Sequence, residues 1–275
     1  MTFEYLWLIP LGFVIGAYGT LIGAGGGFLL VPLLLFLYPA ETPETITSIS
    51  LAVVFFNALS GSVAYARQKR IDYRSGLIFS VATVPGAILG AVTTTYLSRR
   101  FFDALFGLLM IMASIFLIAR PTKKSGRERA VPGRHIARFV VEANGTQHSF
   151  SYDLTLGIGI SLLVGYVSSL LGVGGGFIHV PALVHLLNFP VHIATATSHF
   201  ILAVMAFTGT AVHVVSGTFS HGTRRTAALA VGVLIGAQVG ARMSDRVHGD
   251  WIIRGLAVAL GFVGLRLLWN VLGGG

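Results

Sequence analysis

The chain has 275 residues, of which 54% are hydrophobic and only 11% are charged. Because an ordinary soluble domain carries about 25% charged residues, this composition excludes a water-soluble globular protein. The formal net charge is +9 at pH 7. The basic residues occur without interleaved aromatic residues or a recognisable nucleic-acid-binding module, so we expect no nucleic-acid partner.

Apolar stretches of roughly 20 residues recur along the chain, which is the length of a helix that crosses a bilayer. They lack the alternation of a barrel strand, so the sequence predicts an all-α integral membrane protein surrounded by the lipid bilayer. Neither a basic region nor a cleavage-site pattern accompanies the first stretch, so we expect no cleaved signal peptide. The ten predicted segments are residues 3–22, 27–38, 45–66, 75–97, 101–119, 154–171, 176–187, 194–215, 223–243 and 251–271.

A polar connector divides these segments into two sets of five. We predict an N-terminal transmembrane repeat at residues 1–120, a linker at 121–153 and a C-terminal transmembrane repeat at 154–275. Basic residues crowd in and beside the linker, so the positive-inside rule places it in the cytoplasm, in contact with anionic lipid. These residues are Arg120, Lys123, Lys124, Arg127, Arg129, Arg134 and Arg138.

The two sets repeat each other in sequence, with three matches in the same order. The segments 27–38 and 176–187 are too short to cross the hydrocarbon core, so each pairs with the preceding segment as a re-entrant hairpin or extends into the interface as a full crossing. Both options give an odd number of crossings per set, which predicts two inverted repeats with broken or re-entrant helices. The matches are the glycine motif at 23–32 with that at 172–181, Thr47 and Ser48 with Thr197 and Ser198, and Gly86 and Gly90 with Gly236 and Gly240.

Loop charges support this arrangement for the first set and are less decisive for the second. The basic loop at residues 67–74 belongs inside and the loop with Glu41 and Glu44 outside, which places both termini outside. In the second set the charges are divided: Arg242, Arg246 and Arg254 favour the predicted inner side, whereas Arg224 and Arg225 lie near the outer one.

Each glycine motif predicts a break in a helix. Three consecutive glycines followed by an apolar run disfavour an uninterrupted helix, since each interior glycine costs about 1 kcal/mol relative to alanine. A helix that starts at such a break directs free N–H groups and its positive dipole end toward an occupant, and an anion suits that position. Tight helix packing is the other explanation. We expect packing for Gly86, Gly90, Gly236 and Gly240, and an anion site for the paired motifs.

The duplicated motif, the basic central linker and the chain length resemble those of the TauE/SafE family, also called the sulfite exporter or toluenesulfonate uptake permease family. Over the second motif the chain carries His179 where the first motif has Leu30, so the two half-sites differ chemically. The resemblance implies transport of small sulfur-containing anions, such as sulfite or organosulfonates, across a bacterial plasma membrane. Members differ in substrate and direction, which stay open here.

Polar residues inside the spans complete the expected site, because intramembrane polar groups usually face a cavity. Ser48 and Ser198 are able to donate to one oxyanion from opposite sides, or to bond their own helices. We expect His199 and His179 to bind the anion and carry a coupled proton. The predicted substrate-binding residues are Gly25, Gly26, Gly27, Phe28, Ser48, Asn57, Gly174, Gly175, Gly176, Phe177, Ser198 and His199.

Other functions fit less well. A transition-metal permease would use His179, His185, His192 and His199, but their spacings of six, seven and seven do not match a helical metal pair. An intramembrane enzyme would need a catalytic motif that the chain lacks, and a scaffold would need a soluble domain. We therefore expect a transporter with no catalytic residue, metal or cofactor, while its coupling ion, its direction of transport and its oligomeric state stay undetermined.

Overall fold

The structure is a computed structural model that describes residues 5–119, 135–244 and 250–273. Each of the ten predicted segments corresponds to one helix in these ranges. Residues 3–4 of the first predicted segment, Arg120 and residues 121–134 of the predicted linker lie outside them. The helices are α1 Leu8–Ile22, α2 Gly27–Leu37, α3 Pro43–Arg67, α4 Tyr73–Thr94, α5 Arg99–Ile118, α6 Leu154–Leu171, α7 Gly176–His185, α8 Val191–Val215, α9 Thr223–Met243 and α10 Asp250–Gly273.

Five of the described helices, α3, α4, α6, α8 and α9, are long and apolar enough to cross a membrane. Large apolar side chains also point away from the protein, as at Val81, Leu163 and Ile235, whose exposed fractions are 70%, 62% and 56%. Such a surface suits lipid, where apolar exposure carries no cost of hydration. The chain is a multi-pass membrane protein.

One structural unit contains α1–α4 and α6–α9. Within it α1 packs along α9, and the equivalent α6 packs along α4. Both contacts depend on glycine: a Cβ at Gly236 would collide with the carbonyl of Phe13, and one at Gly86 with the carbonyl of Leu162. The predicted packing role of these glycines is confirmed. The other glycines whose Cβ would meet backbone in these two contacts are Gly12, Gly16, Gly90, Gly165, Gly232 and Gly240.

Helices α3 and α8, which hold equivalent places in the two sequence repeats, pack against each other in opposite directions. Gly61 lies against the ring of His199, whereas Gly209 lies against the side chain of Leu51. Residue numbers therefore rise along α3 as they fall along α8.

The second structural unit contains α5 and α10, which also run in opposite directions. A Cβ at Gly107 would lie 3.0 Å from the carbonyl oxygen of Gly264, so the helices approach closely at this point. Further along, the Ser114 hydroxyl donates to the Ala257 carbonyl at 2.6 Å.

The predicted all-α fold is wrong for the end of the linker, where β1 (His135–Val141) and β2 (Gln147–Asp153) form an antiparallel hairpin. The Asn144-Gly145 turn joins the strands, with Gly145 at φ +87° and the Asn144 side chain accepting from the Thr146 N–H at 2.9 Å. Polar residues alternate with apolar ones in β2, so that Phe150 and Tyr152 both face the helices. Period-two alternation is the pattern of a strand with one buried face.

The hairpin packs on the helices of its unit through aromatic contacts. The Phe150 and Tyr152 rings lie 4.4 and 5.2 Å from the ring of Phe189, and Tyr152 also contacts Phe79 of α4. These side chains belong to one buried apolar cluster with residues of α7 and α8. Burial raises the pKa of Tyr152, whose hydroxyl lies 2.7 Å from that of Ser75.

Two ion pairs hold the hairpin to the loop between α3 and α4. Arg138 of β1 bonds to Asp72, and Glu142 bonds to Arg70 at 2.7 Å. Burial alone would raise the pKa of each carboxylate, but hydrogen bonds from the arginines, helped by Ser75 and His148, lower both below their ordinary values.

Candidate functional site

The first glycine motif forms a break between α1 and α2. The break requires glycine, because Gly23, Gly25 and Gly26 have φ values of +83°, +76° and +80°. The N–H groups of Gly23 and Gly25 donate hydrogen bonds to carbonyls in the last turn of α1, those of Thr20 and Gly19. Helix α2 then begins at Gly27, where the first N–H groups have no carbonyl one turn behind them.

The second motif forms the same kind of break between α6 and α7, with one difference. Gly172 and Gly174 have φ values of +68° and +74°, but Gly175 has φ −61°, an ordinary helical value. The equivalent residue of the first motif, Gly26, is left-handed. Thus the two breaks differ in backbone conformation as well as in the Leu30 and His179 side chains.

The two breaks contact each other. A Cβ at Gly27 would collide with the backbone of Val173, and one at Gly176 with the backbone of Gly23 and Ala24. The first residue of each short helix therefore lies against the break of the other repeat. Between them lies Val54 of α3, whose methyl carbons would lie 3.0 and 3.2 Å from a Cβ at Gly174, and one of them 2.8 Å from a Cβ at Gly27.

The motif phenylalanines also meet. The ring centroids of Phe28 and Phe177 lie 6.2 Å apart with a tilt of 32° between the ring planes. The contact joins α2 to α7 beside the breaks.

A buried polar cluster surrounds the last turn of α1. The Thr20 hydroxyl donates to Oδ1 of Asn57 at 3.2 Å and lies 3.3 Å from Nε2 of His199. The Thr20 carbonyl accepts from the Tyr65 hydroxyl at 2.8 Å and from the N–H of Gly23, the first residue of the break. The cluster thus joins α1, α3 and α8 directly beside the first break.

Asn57 has unused hydrogen-bonding capacity in this cluster. Its side chain is fully buried, and Nδ2 has no acceptor among the described residues. Leaving a buried donor unsatisfied costs about 1–3 kcal/mol. An occupant with an acceptor oxygen would remove that cost.

The remaining predicted residues lie in other surroundings. Ser48 donates to the Thr45 carbonyl of its own helix at 2.8 Å, as the alternative to substrate binding proposed. Ser198 is fully buried, and its hydroxyl has no partner in the described ranges. His179 lies 3.2 Å from the Ser161 hydroxyl of α6 and contacts the ring of Phe79.

Sequence reasoning missed Thr20 and Tyr65. A signal for Thr20 was present, because it precedes Gly23 by three residues as Ser169 precedes Gly172, so both repeats carry a hydroxyl one turn before the break. Thr20 and Ser169 are both fully buried. Tyr65 had no such signal, since its role depends on the contact of α3 with α1.

Within the described residues, no three His, Cys, Asp or Glu side chains lie close enough together to hold a metal ion.

Comparison with known proteins identifies the family. The family model described as "Sulfite exporter TauE/SafE" matches residues 8–267 of the chain. The chain belongs to the TauE/SafE family. The sequence resemblance and the expected membrane-transporter class of this TauE/SafE protein are therefore confirmed.

Relatives of this TauE/SafE protein are named as transporters. The "Probable membrane transporter protein YunE" of Bacillus subtilis strain 168 is 33% identical over 97% of this chain and 98% of its own length. A probable membrane transporter protein of Methanocaldococcus jannaschii is 22% identical over 98% of each chain. No solved structure matches the chain. A transporter acts on a small-molecule substrate and lies in a lipid bilayer. The names of these relatives describe transport and do not mention an enzymatic activity.

Proposed function

We propose that this protein transports small anions, in particular sulfur-containing anions such as sulfite or organosulfonates, across a bacterial plasma membrane. The observation that carries the proposal is the direct contact of the two glycine breaks beside a buried polar cluster. Each break brings the start of a short helix to this point, where unpaired N–H groups and the helix dipole favour negative charge. The family description supports sulfite-like chemistry.

An inverted repeat explains how such a site alternates between the two sides of the membrane. The equivalent helices α3 and α8 run in opposite directions, and exchanging the repeats turns the α1–α9 contact into the α6–α4 contact. Related halves of opposite orientation place substrate at their interface in many transporters. In this conformation Val54 packs between the breaks, so we expect the anion to enter as the breaks separate.

Within the site, we assign Asn57 and His199 different tasks. The free Nδ2 of Asn57 donates a hydrogen bond to the anion, and His199, linked to Asn57 through Thr20, carries a coupled proton. Ser198 and the motif residues complete the lining, and His179 is a second candidate for the proton. A hydrogen bond to a charged group contributes about 1.5–3 kcal/mol, so Asn57→Leu is expected to weaken anion binding about 10- to 100-fold.

The test is uptake by purified protein in proteoliposomes with an imposed pH gradient. The probes are sulfite, thiosulfate and methanesulfonate, with acetate as a carboxylate for comparison. We expect uptake of the sulfur anions, with His199→Ala abolishing its dependence on the gradient. The matched control is His192→Ala, an exposed histidine on the same helix, which is expected to behave as the parent protein.

Two results would count against the proposal. Failure of the parent protein to bind or transport any of these anions would refute the function. Unchanged uptake and pH dependence in His199→Ala would remove this histidine from the mechanism.

A further inference from the structure

A cleft of about 330 Å³ lies where α3 and α9 end, beneath the turn of the β hairpin. Its lining includes Arg67 from α3, Arg242 and Gln238 from α9, and Arg70 with Glu142 from the loop and hairpin. Basic side chains from three parts of the chain therefore converge on one opening.

The charges of the cleft are not balanced. Glu142 is buried, and its carboxylate bonds to both Arg70 and His148 at 2.7 Å, so these two residues compensate its negative charge. Arg67 and Arg242 are exposed, and neither forms an ion pair with a described residue. Among the described residues, two positive charges without an ion-pair partner thus line the same space.

The floor of the cleft connects to the buried polar cluster. Nε2 of Gln238 donates to the Ser60 carbonyl at 2.7 Å and lies 2.9 Å from the Ser60 hydroxyl. Ser60 lies one helical turn from Asn57 and next to Gly61, which packs against the ring of His199. Gln238 of the cleft is thus linked through Ser60 to the part of α3 that carries Asn57, about two helical turns from Ala64, the nearest α3 residue in the cleft lining.

We propose that this basic cleft is an access site that captures the oxyanion before it reaches the breaks, with Arg67 and Arg242 as the binding residues. The inference rests on the proposed function and adds the place and chemistry of entry. The arginines attract the anion and Gln238 offers an amide at the cleft floor. The cleft takes a small free oxyanion rather than the phosphate of a lipid headgroup, because its polar floor leads inward to Asn57.

The variants remove charge without touching the buried site. Arg67→Gln and Arg242→Gln each delete one positive charge, and Arg224→Gln is the matched control, since Arg224 is exposed at the other end of α9. The double variant with lysine at positions 67 and 242 keeps both charges. Sulfite uptake is measured in liposomes of zwitterionic lipid and again in liposomes that contain phosphatidylglycerol.

We expect each glutamine substitution to raise the KM for sulfite about fivefold, or about 1 kcal/mol, at low salt, with kcat little changed. High ionic strength should reduce the effect, because salt screens exposed charges. The lysine variant should restore the KM, and Arg224→Gln should leave it unchanged. These results in zwitterionic lipid would support capture of a free anion.

Three outcomes would overturn the proposal in distinguishable ways. If the parent protein takes up sulfite and both Arg67→Gln and Arg242→Gln do so with an unchanged KM, the access site is refuted and the proposed function stands. A dependence on the arginines only with phosphatidylglycerol present would assign the cleft to lipid headgroups. Absence of sulfite uptake by the parent protein would refute the proposed function, and the access site with it.

Discussion

Replacing the left-handed glycine of the first break tests whether its geometry matters for transport. Gly26 has φ +80°, and a Cβ there would lie 2.8 Å from Cγ2 of Ile15 and 3.1 Å from the Ile15 carbonyl oxygen. Gly26→Ala therefore adds backbone strain and a steric contact with α1. Its counterpart Gly175→Ala adds contacts with the side chains of Val164, Ser168 and Met205. It adds no left-handed strain, because Gly175 has a helical φ of −61°.

These differences give an ordered series of magnitudes. A left-handed conformation costs alanine about 1–2 kcal/mol, and overpacking adds about 1–3 kcal/mol. Gly26→Ala should therefore destabilise the protein by about 2–5 kcal/mol and Gly175→Ala by about 1–3 kcal/mol. Gly159→Ala is the control, since a Cβ there meets nothing within 4 Å. In the α6 interior this substitution should stabilise by about 1 kcal/mol.

The measurements are thermal unfolding in detergent and sulfite uptake in proteoliposomes. We expect the melting temperature to fall in the order Gly159→Ala, Gly175→Ala, Gly26→Ala, and uptake to be lowest for Gly26→Ala. The reasoning would be refuted if Gly26→Ala unfolded no more easily than Gly175→Ala and transported like the parent protein.

Two predictions concern the docked hairpin. Arg138→Met leaves the buried Asp72 carboxylate without its cation, which should lower the free energy of hairpin opening by about 3–5 kcal/mol. Hydrogen exchange of the strand amides measures this free energy, and a decrease of less than about 1 kcal/mol would contradict the role of the ion pair. The lowered pKa values of Asp72 and Glu142 mean that both carboxylates stabilise docking above their ordinary values of 3.8 and 4.5 and lose this effect as the pH falls through the lowered values. Amide protection, corrected for intrinsic exchange, should therefore decrease as the pH falls below about 4.5, first through Glu142 and then, below about 3.8, through Asp72 as well. Protection that stayed unchanged down to about pH 3 would contradict this assignment.

The hairpin shows why sequence reasoning failed for part of the linker. Polar and apolar residues alternate in β2, and the Asn144-Gly145 turn signal is present in the sequence. The basic composition of the preceding residues nevertheless favoured a solvated connector. The burial of Phe150 and Tyr152 decides the matter, and it depends on the aromatic surface that Phe79 and Phe189 form after the helices assemble.

The sequence alone determined the membrane class, the ten α-helices of the described residues and the places of the two breaks. Helices in lipid must satisfy their own backbone groups, so length and apolarity locate them without knowledge of their neighbours. Runs of glycine likewise mark a break through local backbone freedom.

Only the tertiary structure decided which polar residues meet. Thr20, Asn57 and His199 are far apart in the chain, and their hydrogen bonds exist because α1, α3 and α8 pack at one point. The same packing leaves Ser48 on its own helix and brings Arg67 and Arg242 to one cleft. Side-chain partners depend on the rotation and crossing of helices, and contacts between distant segments set both.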